Sequence, residues 1–151
     1  MAQSIRDKVI GNVIDTLHTI RTNNGYEFKF SEVYRVPRQG FDVRGYPACM
    51  VVDFSEDKID GVPYAFTTCN LHLQLICWNR KTNDASQESI KVLAGVEQAM
   101  KTDITRGGNA YDTKITGNQM ILADELLPNG GVIINVDVFY RHNVSNPFTI
   151  G

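Results

Sequence analysis

One stretch, residues 69–80 (CNLHLQLICWNR), constrains the fold more than any other. Cys69, Leu71, Leu73, Leu75 and Cys77 alternate with Asn70, His72 and Gln74, a period of two that fits an extended strand with one face in a core. The polar face then ends on Ile76 and Trp78. Residues 132–141 repeat the anomaly: Val132, Ile134, Val136, Val138 and Tyr140 form an apolar face, and the reverse carries Ile133, Asn135, Asp137 and Phe139. A sheet covered on one side should present polar residues on the other. Leaving a large apolar side chain in water forfeits roughly 1.5–3 kcal/mol, so Ile76, Trp78, Ile133 and Phe139 call for a cover. Either a second copy of the chain supplies it or the chain's own loops do.

The rest of the chain reads as one domain, 1–151. An apolar stripe of Ile5, Val9, Val13, Leu17 and Ile20 predicts a helix from about Ser4 to Thr22. Ser4 and Asp7 resemble a capping box, and Asn23-Asn24-Gly25 provides a stop. Tyr26, Phe28 and Phe30 alternate with charged residues and suggest a short strand continuing towards Val36. A strand over Ala48–Phe54 follows, then SEDKIDGVP as an acidic, turn-rich connection into the long strand. Asp84 begins a second helix running to about Lys101, with Ile90, Leu93, Val96 and Met100 on one side. Residues 103–118 read as a mobile loop, and residues 119–124 and 132–141 as the last strands. Residues 142–151 read as a C-terminal tail. The predicted fold is α+β: an antiparallel sheet with two helices packed on one face, in the order α-β-β-β-α-β-β.

Charge and composition narrow the function. Fifteen Lys and Arg against seventeen Asp and Glu give a net charge of −2, which provides no basic field for free nucleic acid. The longest apolar runs fall far short of the ~18–20 residues of a membrane span. The N-terminus lacks the apolar stretch of a signal peptide, so a soluble protein made in the cytoplasm is expected. Cys49, Cys69 and Cys77 lack metal-binding spacing and read as buried thiols. Cys69 or Cys77 with His72 fails as a catalytic pair, because odd and even strand positions point to opposite faces. His18, His72 and His142 show no zinc pattern, and RGGN at 106–109 lacks the lysine and hydroxyl of a phosphate loop. Asp53, Glu56, Asp57 and Lys58 have the residue types of a metal-dependent nuclease but the spacing of an acidic turn. No catalytic, cofactor-binding or metal residue is assigned.

Arg35, Arg38 and Arg44 lie near one loop, and Glu56, Asp57 and Asp60 in another. In a head-to-tail ring, such separated clusters pair across every contact.

The opening helix SIRDKVIGNVIDTLHTI, the proline entering YPACMVVDFSED, the strand CNLHLQLICWNR followed by a polar break and a helix, and the closing GVIINVDVFYRHN together resemble the tail terminator (tail completion) proteins of long-tailed bacteriophages. Residues 103–118 and the tail after Arg141 have no counterpart in that pattern. The resemblance implies a structural virion protein of the tail or neck, assembled in the host bacterial cytoplasm and catalysing nothing. It forms a homohexameric ring that docks on the tail tube protein, stops its polymerisation and joins a head-tail connector or neck protein. DNA passes only through its centre, and no cofactor or membrane is involved. On this reading Ile76, Trp78, Ile133, Phe139 and the two charge clusters form subunit contacts, and Phe148 and Ile150 reach a partner. The alternatives are another neck, head-completion or baseplate component of similar fold, or a small metal-dependent nuclease with its metal at Asp53, Glu56 and Asp57.

Overall fold

A computed structural model describes residues 2–35, 44–61, 65–79, 84–122 and 130–151. Helix α1, Ile5–His18, begins where the Ser4 hydroxyl accepts a hydrogen bond from the Asp7 backbone at 3.2 Å, the N-cap role expected of serine. It buries Ile5, Val9, Ile10, Val13 and Leu17. The strands are β1 Glu32–Tyr34, β2 Ala48–Asp60 and β3 Phe66–Trp78, followed by α2 Ala85–Thr102, then β4 Asp112–Ile121, β5 Gly131–Asn143 and β6 Asn146–Ile150. Their sheet order is β1-β2-β3-β5-β4, with β6 paired to β5. The inner residues of β3 and β5 form one core with both helices, so the helices cover one face of the sheet as the strand pattern predicts.

Six features depart from the sequence reading. The sheet is mixed: β1 runs parallel to β2, and the other pairs are antiparallel. The long connection from Tyr34 to Ala48 permits this, since a parallel pair needs a crossover of about a dozen residues. Tyr26, Phe28 and Phe30 belong to no strand. Phe30 is buried, and Tyr26 and Phe28 pack against the core, so their alternation serves packing without a ladder.

The acidic segment after Phe54 continues β2. The pairing shifts between Asp53 and Ser55, and this bulge reverses the parity of the strand. Asp53 lies opposite Leu73 on the helix side, and beyond the bulge Glu56 and Lys58 lie opposite Leu71 and Cys69 on that same side. Ser55 and Asp57 pair with His72 and Asn70 on the outer side.

The predicted loop over residues 103–118 is a turn followed by most of β4. Its turn rests on Asp103, whose carboxylate accepts hydrogen bonds from the backbones of Thr105 and Gly107 at 2.9 and 2.8 Å. Gly107 and Gly108 have positive φ there, which glycine adopts freely. The C-terminal segment folds back as β6 against β5.

The buried stripe of α2 keeps the predicted Val96 and Met100, with Leu93 packed against the core, but it is displaced at the start of the helix: Ser89, Val92, Gly95 and Ala99 also face inward, whereas Ile90 is exposed. Two contacts fix this displacement. The Ser89 hydroxyl donates to the Gly131 carbonyl at 3.2 Å and accepts from Asn79 Nδ2 at 2.5 Å, and Phe28 packs so close to Gly95 that a Cβ there would lie 2.5 Å from its ring. No described helix is long and apolar enough to cross a membrane.

Candidate interaction surface

The sheet face turned away from the helices is built by the even positions of β3, the odd positions of β5 and their neighbours on β2 and β4. Every even residue of β3 from Phe66 to Trp78 is partly exposed while every odd residue from Thr67 to Cys77 is buried. Three zones succeed one another along the strands.

The first zone is apolar. Met50, Ile76 and Ile133 stand in register across three strands, and Trp78 lies between Ala48 and Gly131. Ala48 and Met50 are buried beneath Tyr34, Tyr46, Ile76 and Trp78. The chain's own tyrosines therefore cover part of this end, and Ile76, Trp78 and Ile133 remain partly exposed. Trp78 Nε1 is buried and has no hydrogen-bond partner among the described residues. Leu122, which follows the Ile121 that pairs with Gly131, is 81% exposed at the same end.

The second zone is polar. His72 sits between two carboxylates, with Nδ1 2.8 Å from Asp137 and Nε2 2.8 Å from Asp57. These hydrogen bonds, Asp57 foremost, hold its pKa above the ordinary histidine value. Gln74 donates to Asn135 at 3.5 Å. Phe54, the bulged residue of β2, is 64% exposed and lines a depression with His72, Gln74, Thr116, Asn135 and Asp137.

The third zone stacks cations on rings. The Arg141 guanidinium lies 4.6 Å from the Phe66 ring centre and 5.0 Å from that of Tyr111. Tyr111 packs on Phe139, and Lys114 lies 5.4 Å from the Phe139 ring. Sequence spacing alone does not single out Arg141, because its approach to Phe66 and Tyr111 depends on the pairing of β5 with β3 and β4; its odd position on the closing strand is the available signal.

The charge clusters are largely occupied within the chain. Arg35 forms an ion pair with Asp7 of α1. The backbone of Arg44 donates to Glu32 at 3.1 Å, and Arg38 lies outside the described residues. Glu56 points to the helix side with its side chain 3% exposed, near Arg6 at 3.3 Å and Lys58 at 3.4 Å. The Tyr140 hydroxyl donates to it, and burial followed by that hydrogen bond raises the Tyr140 pKa well above its usual value. Asp53 pairs with Arg6. Asp60 accepts from Thr67 at 2.8 Å. Asp57 alone of the acidic set projects from the outer face, its side chain 79% exposed.

Asp53 and Glu56 thus meet on Arg6, while Asp57 stands on the opposite side of the sheet. Among the described residues no three His, Cys, Asp or Glu side chains converge to hold a metal ion. Phe148 and Ile150, the expected docking tail, are half-exposed on β6. Phe148 lines a hollow with Arg6, Asp7, Arg35 and Asp53 beside the start of α1.

These features define an α+β domain with helices on one sheet face and a zoned, partly apolar opposite face. No protein-family model matches the chain, and no curated protein matches it.

Proposed function

We propose that this protein is the subunit of a ring that caps a bacteriophage tail tube, ends its polymerisation and presents a surface to the head or neck. The observation that carries the reading is the apolar end of the outer sheet face, where Ile76, Trp78 and Ile133 stay partly exposed beside a Leu122 that is 81% exposed. Contiguous apolar surface of this kind is characteristic of protein contacts. Its mechanism is steric. A closed head-to-tail ring has two unlike sides, so one side can fit the tube and the other the neck while the centre stays open for DNA.

The zoned face suits such a contact: the apolar end supplies the burial, and charges farther along the face, such as Asp57 and Arg141, set register more than affinity. The site needs no cofactor on this reading, and the protein is a virion component.

Trp78→Glu and Leu122→Asp test it. Both variants should keep the wild-type circular dichroism spectrum but lose ring formation, read by light scattering in the presence of tail tubes, and lose head joining. Tubes that grow past their normal length with the variants identify a terminator; normal tubes that fail to join heads identify a different neck component. Folded variants that assemble and join at wild-type levels overturn the reading.

A further inference from the structure

We propose that Cys49 and Cys77 are a buried dithiol that closes into a disulfide between β2 and β3 when the protein meets a peroxide. The two residues are directly opposed across the antiparallel pair, and their Sγ atoms are 3.5 Å apart. Opposed residues of such strands have Cα atoms about 4.5–5.5 Å apart, within the ~4.4–6.8 Å that disulfides span. Small rotations about the two Cα–Cβ bonds bring the sulfurs to bonding distance. Cys69, eight positions along the same strand, approaches the Thr67 carbonyl at 3.9 Å and takes no part.

Both thiols are fully buried, and burial holds the Cys49 thiol well above its usual pKa. The reagent must therefore be small, and the strand end at Trp78 must open for it to enter. One thiol, as its thiolate, attacks the peroxide oxygen, giving a sulfenic acid and, after proton transfer, water. The second thiol then attacks the sulfenic sulfur; the S–S bond forms, and the hydroxyl leaves with the attacking thiol's proton as a second water. Two thiols and one peroxide become one disulfide and two waters. The bond joins β2 to β3 beside the Met50, Ile76 and Trp78 patch and closes the loop between them, constraining the unfolded chain. A chain made in a reducing compartment holds the dithiol, and one released to oxidising surroundings acquires the bond.

The test is to treat folded protein with hydrogen peroxide, block remaining thiols with iodoacetamide in denaturant, and record intact mass and a non-reduced peptide map. The expected product is lighter by two hydrogens before blocking, carries one alkyl group on Cys69, and yields a linked Cys49–Cys77 peptide. Its Tm should rise by several degrees and fall back on reduction. Cys69→Ala should give the same linked peptide, and Cys77→Ala should give none. Separate sulfinic acids, a bond to Cys69, or links between chains would overturn the proposal. So would the absence of any linked product when the Cys69→Ala chain refolds in the presence of peroxide.

Discussion

His72 and Asp137 are opposed across β3 and β5, and the imidazole Nδ1 lies 2.8 Å from the carboxylate while Nε2 lies 2.8 Å from Asp57. A neutral imidazole has one donor and one acceptor nitrogen, so only the imidazolium satisfies both contacts. The fold therefore raises the His72 pKa. This stabilisation is fully present below the unfolded histidine value of about 6.5 and is lost as pH rises through the higher folded value. Because the Asp57 side chain is 79% exposed, solvent screens the pair and the contribution stays within about 1 kcal/mol. Urea denaturation of wild type and His72→Gln should show a stability difference at pH 5.5 that shrinks by pH 8.5 and shrinks again in 1 M salt. A difference unchanged across that range would remove the charged pairing.

The buried carboxylate of Glu56 depends on Tyr140, which is 1% exposed and donates its hydroxyl to it. Arg6 and Lys58, with side chains 36% and 48% exposed, can turn to water when Glu56 is removed, but the tyrosine hydroxyl cannot. Tyr140→Phe should cost about 1.5–3 kcal/mol, the range for a hydrogen bond to a charged group. Glu56→Ala should cost at least as much, and the double variant should fall short of the sum. Additive losses in chemical denaturation would show that the two groups are not coupled.

How much of this was legible in the sequence follows from period and parity. The inner faces of β3 and β5 and the stripe of α1 were legible because each keeps one strict period and packs on one core. The bulge at Phe54 was not: a one-residue insertion leaves no mark in composition, yet it turned Glu56 inward and made a strand of an apparent acidic turn. Val96 and Met100 of α2 were legible by period, but the exposure of Ile90 was not, because polar Ser89 and featureless Gly95 face inward for a hydrogen bond and a ring contact, not for hydrophobicity. In the candidate surface, Ile76, Trp78, Ile133 and Phe139 were found by parity. The Asp57–His72–Asp137 contact and the Arg141 stack needed the register between strands, which sequence spacing does not carry.

Register also predicts where a methyl group is forbidden. Gly131 lies opposite Trp78, and a Cβ at Gly131 would overlap the carbonyl oxygen of Cys77, a backbone atom that cannot swing aside. Gly131→Ala should destabilise the fold by about 3 kcal/mol or more, at the upper end of overpacking costs. Gly117 sits on β4, where the nearest group to an added Cβ is Asn135 Nδ2 at 4.0 Å. Gly117→Ala should stay within about 0.5 kcal/mol of wild type. Thermal unfolding of the two variants side by side separates steric exclusion at Gly131 from a general cost of replacing strand glycines.

Arg106 joins the two helices from a fully buried position. Its guanidinium donates to the Met100 carbonyl at 2.7 Å and to the Asp103 carbonyl, both at the end of α2, and to the Thr16 hydroxyl of α1 at 3.3 Å. A cation suits the negative end of a helix, although burial lowers its pKa. Removing the guanidinium leaves terminal carbonyls unpaired and a void between the helices, and the two effects add. Arg106→Ala should therefore cost about 3–5 kcal/mol, within the range for large-to-small core changes. Arg106 also holds a φ of 50°, a conformation that glycine adopts without a steric penalty. Arg106→Gly should consequently lose less stability than Arg106→Ala, although it removes one carbon more. Lysine carries the charge but cannot span the two α2 carbonyls and Thr16 with a planar fork, so Arg106→Lys should recover only part of the loss. Full recovery by lysine in urea denaturation would assign the effect to charge at the helix end and leave the planar fork without a role.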